Sequence, residues 1–435
     1  MSLRPAHIKL EASAMRRWIG PLLLITATPP LAFLLWLTVR YYHGSFLELL
    51  RNASFANLSS QFPRPSWVAL GMILGWVGGQ GVLLKVLPGK PHYGPVTPTG
   101  QQPLYKLNGI AAWIITHLGL YVAAYPLHLF SPSAVYDRFG EILVTINALA
   151  LAFCAFLYVK GRVRPSTTDA VYTGEPLFDF FQGIELHPTL FGVNLKQLIN
   201  CRVSMMGWSV IVLAFAAKQH ALYGHVSTSM MVCAGLIAAY LFKFFWWEGG
   251  YFNSLDIMHD RFGYYICWGV LVWVPAVYTI PALYLAEHPL ALSPALAGAV
   301  FVLGLFALWA NYAADDQRQR VRRTKGETTI WGRPPALILA QYRTTDGEQR
   351  ENLLLASGFW GLARHFHYVP EISLALLWSL PAMFDNLLPY FYVIFLTFLL
   401  LDRANRDDKR CRTKYGTAWE EYCKRVPYKV VPGIY

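Results

Sequence analysis

At 435 residues, the chain carries a formal net charge of +12 and is 55% hydrophobic but only 14% charged. Ordinary soluble domains have about 25% charged residues, so this composition excludes a string of soluble domains. Its basic residues sit against apolar runs rather than on a soluble basic domain, which excludes nucleic acid as the partner they serve.

Apolar runs of roughly 17–25 residues recur, each long enough to cross a bilayer core. They fall near Trp18–Tyr41, Trp67–Val86, Gly109–Phe130, Ile142–Val159, Val203–Ala217, Ser227–Trp247, Phe262–Ile280 and Ala291–Ala313. Two more follow near Ile372–Met383 and Leu387–Leu401, the first of them 12 residues long. That ninth run is too short for a straight span and reads, with its neighbour, as a re-entrant hairpin. The fold class is all-α: a polytopic helical membrane protein of about ten segments, in contact with membrane lipid.

Lysine and arginine placement predicts the orientation. With the N-terminus inside, the inner loops hold Arg16, Arg17, Lys85, Lys90, Lys160, Arg162, Arg164 and the Arg318–Lys325 cluster. The outer loops keep Arg40, Arg51, Arg64, Arg138 and Lys218, so both termini are expected in the cytosol. The first run follows Arg16-Arg17 without a clear small-residue cleavage site and reads as a retained signal anchor. Asn52-Ala-Ser and Asn57-Leu-Ser then fit glycosylation acceptors on an outer loop. The residues alone leave the membrane open between the endoplasmic reticulum of a eukaryotic host and the inner membrane of a bacterial one.

Six cysteines without a CxxC pair indicate neither a disulfide framework nor zinc. Twelve histidines lack the repeated HxxxH or HxxHH boxes a di-iron centre needs, so no metal is expected. No GxGxxG turn follows a strand-like run, so a nucleotide must be gripped by side chains.

Those side chains are found near the C-terminus. Arg318 and Arg322 share a helix face at the end of the eighth run. Guanidinium forks bind phosphate bidentately, although a stop-transfer cluster would look the same. Residues 353–368 set Leu355 beside Trp360, Arg364, His365, His367 and Tyr368, where aromatics also serve as plain interfacial anchors. In the tail, Arg403, Asp407, Lys414, Tyr415, Glu421 and Tyr422 recur at roughly helical spacing beside a membrane boundary. Charges interleaved with rings suit a large, anionic, partly flat ligand such as a phosphorylated dinucleotide. Arg403 and Asp407, four apart, form either an exposed pair worth about 0.3–0.5 kcal/mol or a partly desolvated carboxylate able to hold a proton. Glu248, Asp256, His259, Asp260 and Arg261 cluster beyond the sixth run, as a functional group or as a network capping the next helix.

Several long stretches, in one order, carry a resemblance. FFWWEGGYFNSLDIMHDRFGYY, RRTKGETTIWGRPP, SGFWGLARHFHYVPE, LLPYFYVIFLTFLLLDRANRDDKRCRTKYGTAWEEY and RVPYKVVPGIY resemble the sterol C=C reductases of the Δ7, Δ14 and Δ24(28) types, most of all the Δ7 branch. The resemblance implies N-terminal transmembrane helices over 1–180, and over 181–435 a reductase core with a sterol pocket and a cytosol-facing NADPH pocket. It places cofactor contacts on Arg318, Arg322, Leu355, Trp360, His367, Tyr368, Arg403, Asp407, Cys411, Arg412, Thr413, Lys414, Tyr415 and Tyr422. Family members often have Lys at position 318 and Asn at 367. Tyr240 matches the family's catalytic tyrosine.

An isolated double bond has no carbonyl to polarise it, so the expected route is ionic. An acid protonates one carbon and the resulting cation takes a hydride from NADPH in a pocket kept dry. Tyr240 and Asp407 are the proton-relay candidates. Two other readings stay open: an isoprenylcysteine-type S-adenosylmethionine methyltransferase, which shares the KYGxxxxxY tail pattern, and a sterol-binding membrane protein without turnover.

Overall fold

The computed structural model describes residues 5–7, 15–97, 99–343 and 349–435. The ten apolar runs become ten helices. They are α1 (Gly20–Tyr41), α2 (Trp67–Val86), α3 (Gly109–Ala124), α4 (Phe139–Val163) and α5 (Gln197–Tyr223). Next come α6 (Thr228–Trp246), α7 (Tyr264–Glu287), α8 (Pro294–Arg323), α9 (Tyr368–Ser379) and α10 (Phe391–Tyr415), followed by a short α11 (Thr417–Arg425). Among the described residues seven helices, α1, α2 and α4–α8, are long and apolar enough to cross a membrane.

Local chemistry sets where these helices begin. The hydroxyls of Ser66, Ser227 and Ser293 accept from the backbone N–H of Ala69, Met230 and Leu296, each satisfying a donor that the helix leaves orphaned. Pro29 and Pro30 lie inside α1. The hydroxyls of Thr26 and Thr28 bond back to the carbonyls of Leu22 and Leu24 there, both at 2.7 Å.

The helices divide into two compact units. The first comprises Met1–Ala291 with Phe384–Pro389. Its centre is α5 and α7, whose apolar windows are 67% and 78% buried, whereas α2 at 17% leaves most of its surface for lipid. Buried charges pin its loops. Arg202 pairs with Glu248 and donates to Asn108 Oδ1 at 2.9 Å, while Glu248 also accepts from Gly109 N at 3.1 Å. The Lys196 ammonium is caged by the carbonyls of Asp256, Ile257 and Asp260. Arg261 donates to the carbonyls of Asp169 and Ile184, each at 2.9 Å. Glu248 thus spends its charge on Arg202 and a backbone N–H, and Arg261 on two backbone carbonyls, the partnering a buried charge requires.

The second unit comprises Leu292–Met383 and Tyr390–Tyr435. Besides α8–α11 it holds an antiparallel hairpin, β1 (Leu337–Arg343) and β2 (Gln349–Leu355), paired from Leu337↔Leu355 to Arg343↔Gln349. Ile338, Ala340 and Leu354 of the hairpin bury themselves against Trp419, Tyr422 and Val426, which fixes α11 on the sheet. Val321 of α8 closes a second cluster with Ile330, Leu355 and Trp360.

Candidate functional site

Four segments of the second unit converge: the end of α8, the hairpin's last strand, the turn at 358–368 and the polar half of α10. The turn is held in place from both sides. Gly358 has φ 63°, and an added Cβ would lie 2.4 Å from Gln317 Oε1, so only glycine fits. On the other flank, Arg364 Nη1 donates to the carbonyls of Val426 (2.7 Å) and Pro427 (2.9 Å). The backbone N–H groups of Arg364 and His365 bond the carbonyls of Tyr428 and Lys429 at 3.0 and 2.8 Å. The chain's last ten residues therefore act as a brace for the turn.

On that scaffold the aromatic side chains are buried and bonded. Trp360 donates Nε1–H to Ala314 O at 2.6 Å, and its main-chain carbonyl accepts the Tyr422 hydroxyl at 3.1 Å. Its ring carries the Arg318 guanidinium 4.3 Å from the centroid on one contact and the His367 ring at 5.0 Å on another. His367 in turn lies 4.3 Å from Tyr368, which stacks on His365 at 5.3 Å with the planes 8° apart. Leu355 belongs to the apolar floor beneath Trp360. Tyr415 accepts a hydrogen bond from Asn352 at 2.7 Å and meets the Tyr342 ring edge-on.

The charges sit above these rings. Arg318 donates to Asp315 at 3.0 Å, yet its Nε is buried without a hydrogen-bond partner. Arg322 is exposed and lies within electrostatic reach of Arg318, Tyr415, Cys411 and Asp407. Asp407 pairs with Arg410 one turn along α10, and its Oδ2 lies 3.8 Å from His365 Nε2. Next to it, Asp408 accepts Trp419 Nε1–H at 3.2 Å and faces Arg364 Nε at 3.7 Å. The Lys414 ammonium lies 4.0 Å from the Tyr342 ring, and burial followed by Arg410 lowers its pKa. Burial pushes the Cys411 thiol up to about 12 and the Tyr422 phenol upward, so both are neutral groups at pH 7, and Cys411 is no nucleophile.

Most residues singled out in the sequence thus gather in one place: Arg318, Arg322, Leu355, Trp360, His367, Tyr368, Asp407, Cys411, Lys414, Tyr415 and Tyr422. Arg403 lies one turn before Asp407 on α10, half-buried. Arg412 and Thr413 are not drawn in by their side chains. Arg412 faces Glu420 at 3.9 Å, and Thr413 bonds back to Lys409 O at 3.1 Å. Tyr240 belongs to the first unit, half-buried on α6, with Trp208 at 5.8 Å and the Lys243 ammonium at 6.0 Å from its ring. The structure adds Asp408 and Arg410, and it gives Arg364 and His365, already marked in the 353–368 stretch, a place in the cluster. Of the two additions Arg410 carried a signal in the spacing, three residues from Asp407. No group of three His, Cys, Asp or Glu among the described residues is arranged to hold a metal.

The end of α8 offers guanidinium forks of the kind that grip phosphate, beside aromatic faces of the kind that pack on planar rings. Residues 24–435 match the ergosterol biosynthesis ERG4/ERG24 family, and the chain belongs to it. It is a polytopic membrane sterol reductase, an oxidoreductase. The chain is 46% identical to the 7-dehydrocholesterol reductase of Arabidopsis thaliana, over 95% of this chain and 96% of that one. It is 35% identical to the Delta(14)-sterol reductase of Methylotuvimicrobium alcaliphilum, over 95% and 94%. To the Delta(14)-sterol reductase LBR of Gallus gallus it is 33% identical, over 82% of this chain and 55% of that protein.

Proposed function

We propose that this enzyme uses NADPH to reduce the Δ7 ring double bond of a sterol, as in converting 7-dehydrocholesterol to cholesterol. In this reading residues 181–435 form the reductase core, and both termini face the cytosol. The observation that carries it is the Arg318–Arg322 face of α8, set beside Trp360, Tyr415 and Lys414. An unpaired, buried Arg318 Nε is a donor in want of an anionic acceptor. The name of the Arabidopsis relative supports Δ7; that of the Methylotuvimicrobium relative supports Δ14 as the second reading.

Arg318, Arg322, Arg403 and Lys414 would hold the phosphates. Trp360, His367, Tyr368, Tyr415 and Tyr422 would pack on or hydrogen-bond the rings and ribose, with Leu355 as apolar wall. The main chain of 411–415 would complete the contact, with Arg412 and Thr413 at its rim. NADPH, when bound, supplies the hydride; the protein binds, orients and excludes water. The proton comes from a relay containing Tyr240 or Asp407: a hydroxyl or carboxyl O–H delivered to one alkene carbon, leaving the other to accept the hydride. Thermal unfolding of the detergent-solubilised enzyme tests the cofactor. NADPH raises the melting temperature and S-adenosylmethionine leaves it unchanged; the reverse result overturns the reading in favour of a methyltransferase.

A further inference from the structure

His365 is a buried titratable side chain for which the reading above has no task. It is 4% exposed, at the centre of the cluster rather than in its wall. Two contacts fix it: its backbone N–H is tied to Lys429 O at 2.8 Å, and its ring stacks on Tyr368. Two residues on, the His367 carbonyl is held by Asn311 Nδ2 at 3.2 Å, which steadies the same turn. What remains is Nε2, buried, without a hydrogen-bond partner, and 3.8 Å from Asp407 Oδ2. An imidazole nitrogen so placed, in a ring held by its backbone and by stacking, faces the Asp407 carboxylate.

We propose that His365 is the positioning residue for Asp407: a neutral imidazole whose Nε2–H steers the Asp407 carboxylate into the site against the pull of Arg410. The proposal rests on the reading of Asp407 as part of the reductase site. At 3.8 Å the contact is longer than a hydrogen bond, and rotation of the Asp407 side chain from Arg410 toward His365 closes it. His365 and Arg410 thus define two ends of one carboxylate's travel, the resting end on Arg410 and the working end on His365. The charged groups around the imidazole are Asp407 and Asp408 from α10, Arg318 from α8 and Arg364 from its own turn. Burial, the largest influence, brings the imidazole down to about 4 despite Asp407. The ring is therefore neutral at working pH, as a donor with one N–H must be.

The test uses the full-length enzyme in detergent, with His365→Leu, His365→Gln and His365→Asn. Glutamine sets an N–H donor near the Nε2 position; leucine has none, and asparagine is too short. We expect His365→Leu and His365→Asn to lose at least tenfold in kcat with NADPH affinity within threefold of wild type, and His365→Gln to recover most of the loss. The limb of the pH–rate profile that Asp407→Asn abolishes should move to higher pH in His365→Leu, because a lost donor to a carboxylate favours its protonated form. Unchanged kcat and pH profile in His365→Leu overturn the proposal. So does a loss confined to NADPH affinity, which would make His365 part of the cofactor wall. If His365→Leu does not accumulate, the glutamine–asparagine comparison decides alone, and equal rates in those two contradict the proposal. Absence of sterol reduction by the wild type would instead be a failure of the functional reading, independent of these variants.

Discussion

At the scale of single residues, charge and burial separate roles that spacing alone had left open. Arg318 and Arg322 do share a helix face, and what favours the phosphate reading over a stop-transfer cluster is company: a tryptophan under one guanidinium and a tyrosine, a thiol and a carboxylate about the other. Replacing either by Glu sets like charge against phosphate. NADPH affinity should fall at least tenfold with membrane insertion unchanged, since losing one charged contact costs a few kcal/mol. Isothermal titration on both variants checks this. Asp407→Asn keeps the shape but cannot release a proton. If Asp407 belongs to the relay, turnover falls by about 10² or more while NADPH still binds; if it only orients the cofactor, affinity falls first. His365 makes stability depend on pH. Burial lowers its pKa from 6.5 to about 4, so only the unfolded chain takes up a proton in between. Stability is complete above about 6.5 and declines as pH falls toward 4, by about 3 kcal/mol from this group. His365→Gln should flatten that stretch of a melting-temperature profile. His365 stood out beforehand only as one member of the 353–368 stretch, without a role. Its burial and its contact across 42 residues of chain are what a motif does not display.

At the scale of elements, the apolar runs located helices but not their ends. The eighth run stops at Ala313, just before the charged stretch that opens with Asp315, yet α8 continues to Arg323, since backbone hydrogen bonding needs no apolar side chains. The same holds for α10, which passes Leu401 and reaches Tyr415. These polar extensions carry much of the candidate site. The hairpin at 337–355 escaped notice because its strands are seven residues each, too short to stand out beside 20-residue runs. Where α10 gives way to α11, Gly416 takes φ 51°, a turn that lets Trp419 and Tyr422 fold back onto β1. The brace between the 358–368 turn and the tail is the element most open to test. Arg364→Ala strips two carbonyls of a charged donor, a loss of about 1.5–3 kcal/mol for such a bond. Residues 426–435 should become cleavable by limited proteolysis, and NADPH affinity should fall through displaced Trp360 and Tyr368. An unaltered digest would show that the hydrophobic contacts of Val426 suffice.

For the whole molecule, composition already declared a polytopic helical membrane protein, and the long motifs declared the family. The division of labour was less visible. Tyr240 stands on α6 in the first unit, the cationic and aromatic cluster in the second. Sequence order alone carries no sign of that partition, since residues 384–389 return to the first unit between α9 and α10. The central claim is a hydride delivered from NADPH to a Δ7 sterol, and product analysis with paired cofactors tests it most directly. Purified enzyme is given Δ7, Δ14 and Δ24 sterols in turn with NADPH or NADH, and products are resolved by mass spectrometry. One product reduced at the Δ7 bond alone should form per NADPH oxidised with the Δ7 sterol, with a large preference for NADPH over NADH. Turnover of the Δ14 sterol alone, comparable kcat/KM with NADH, or no reduction of any sterol would contradict it.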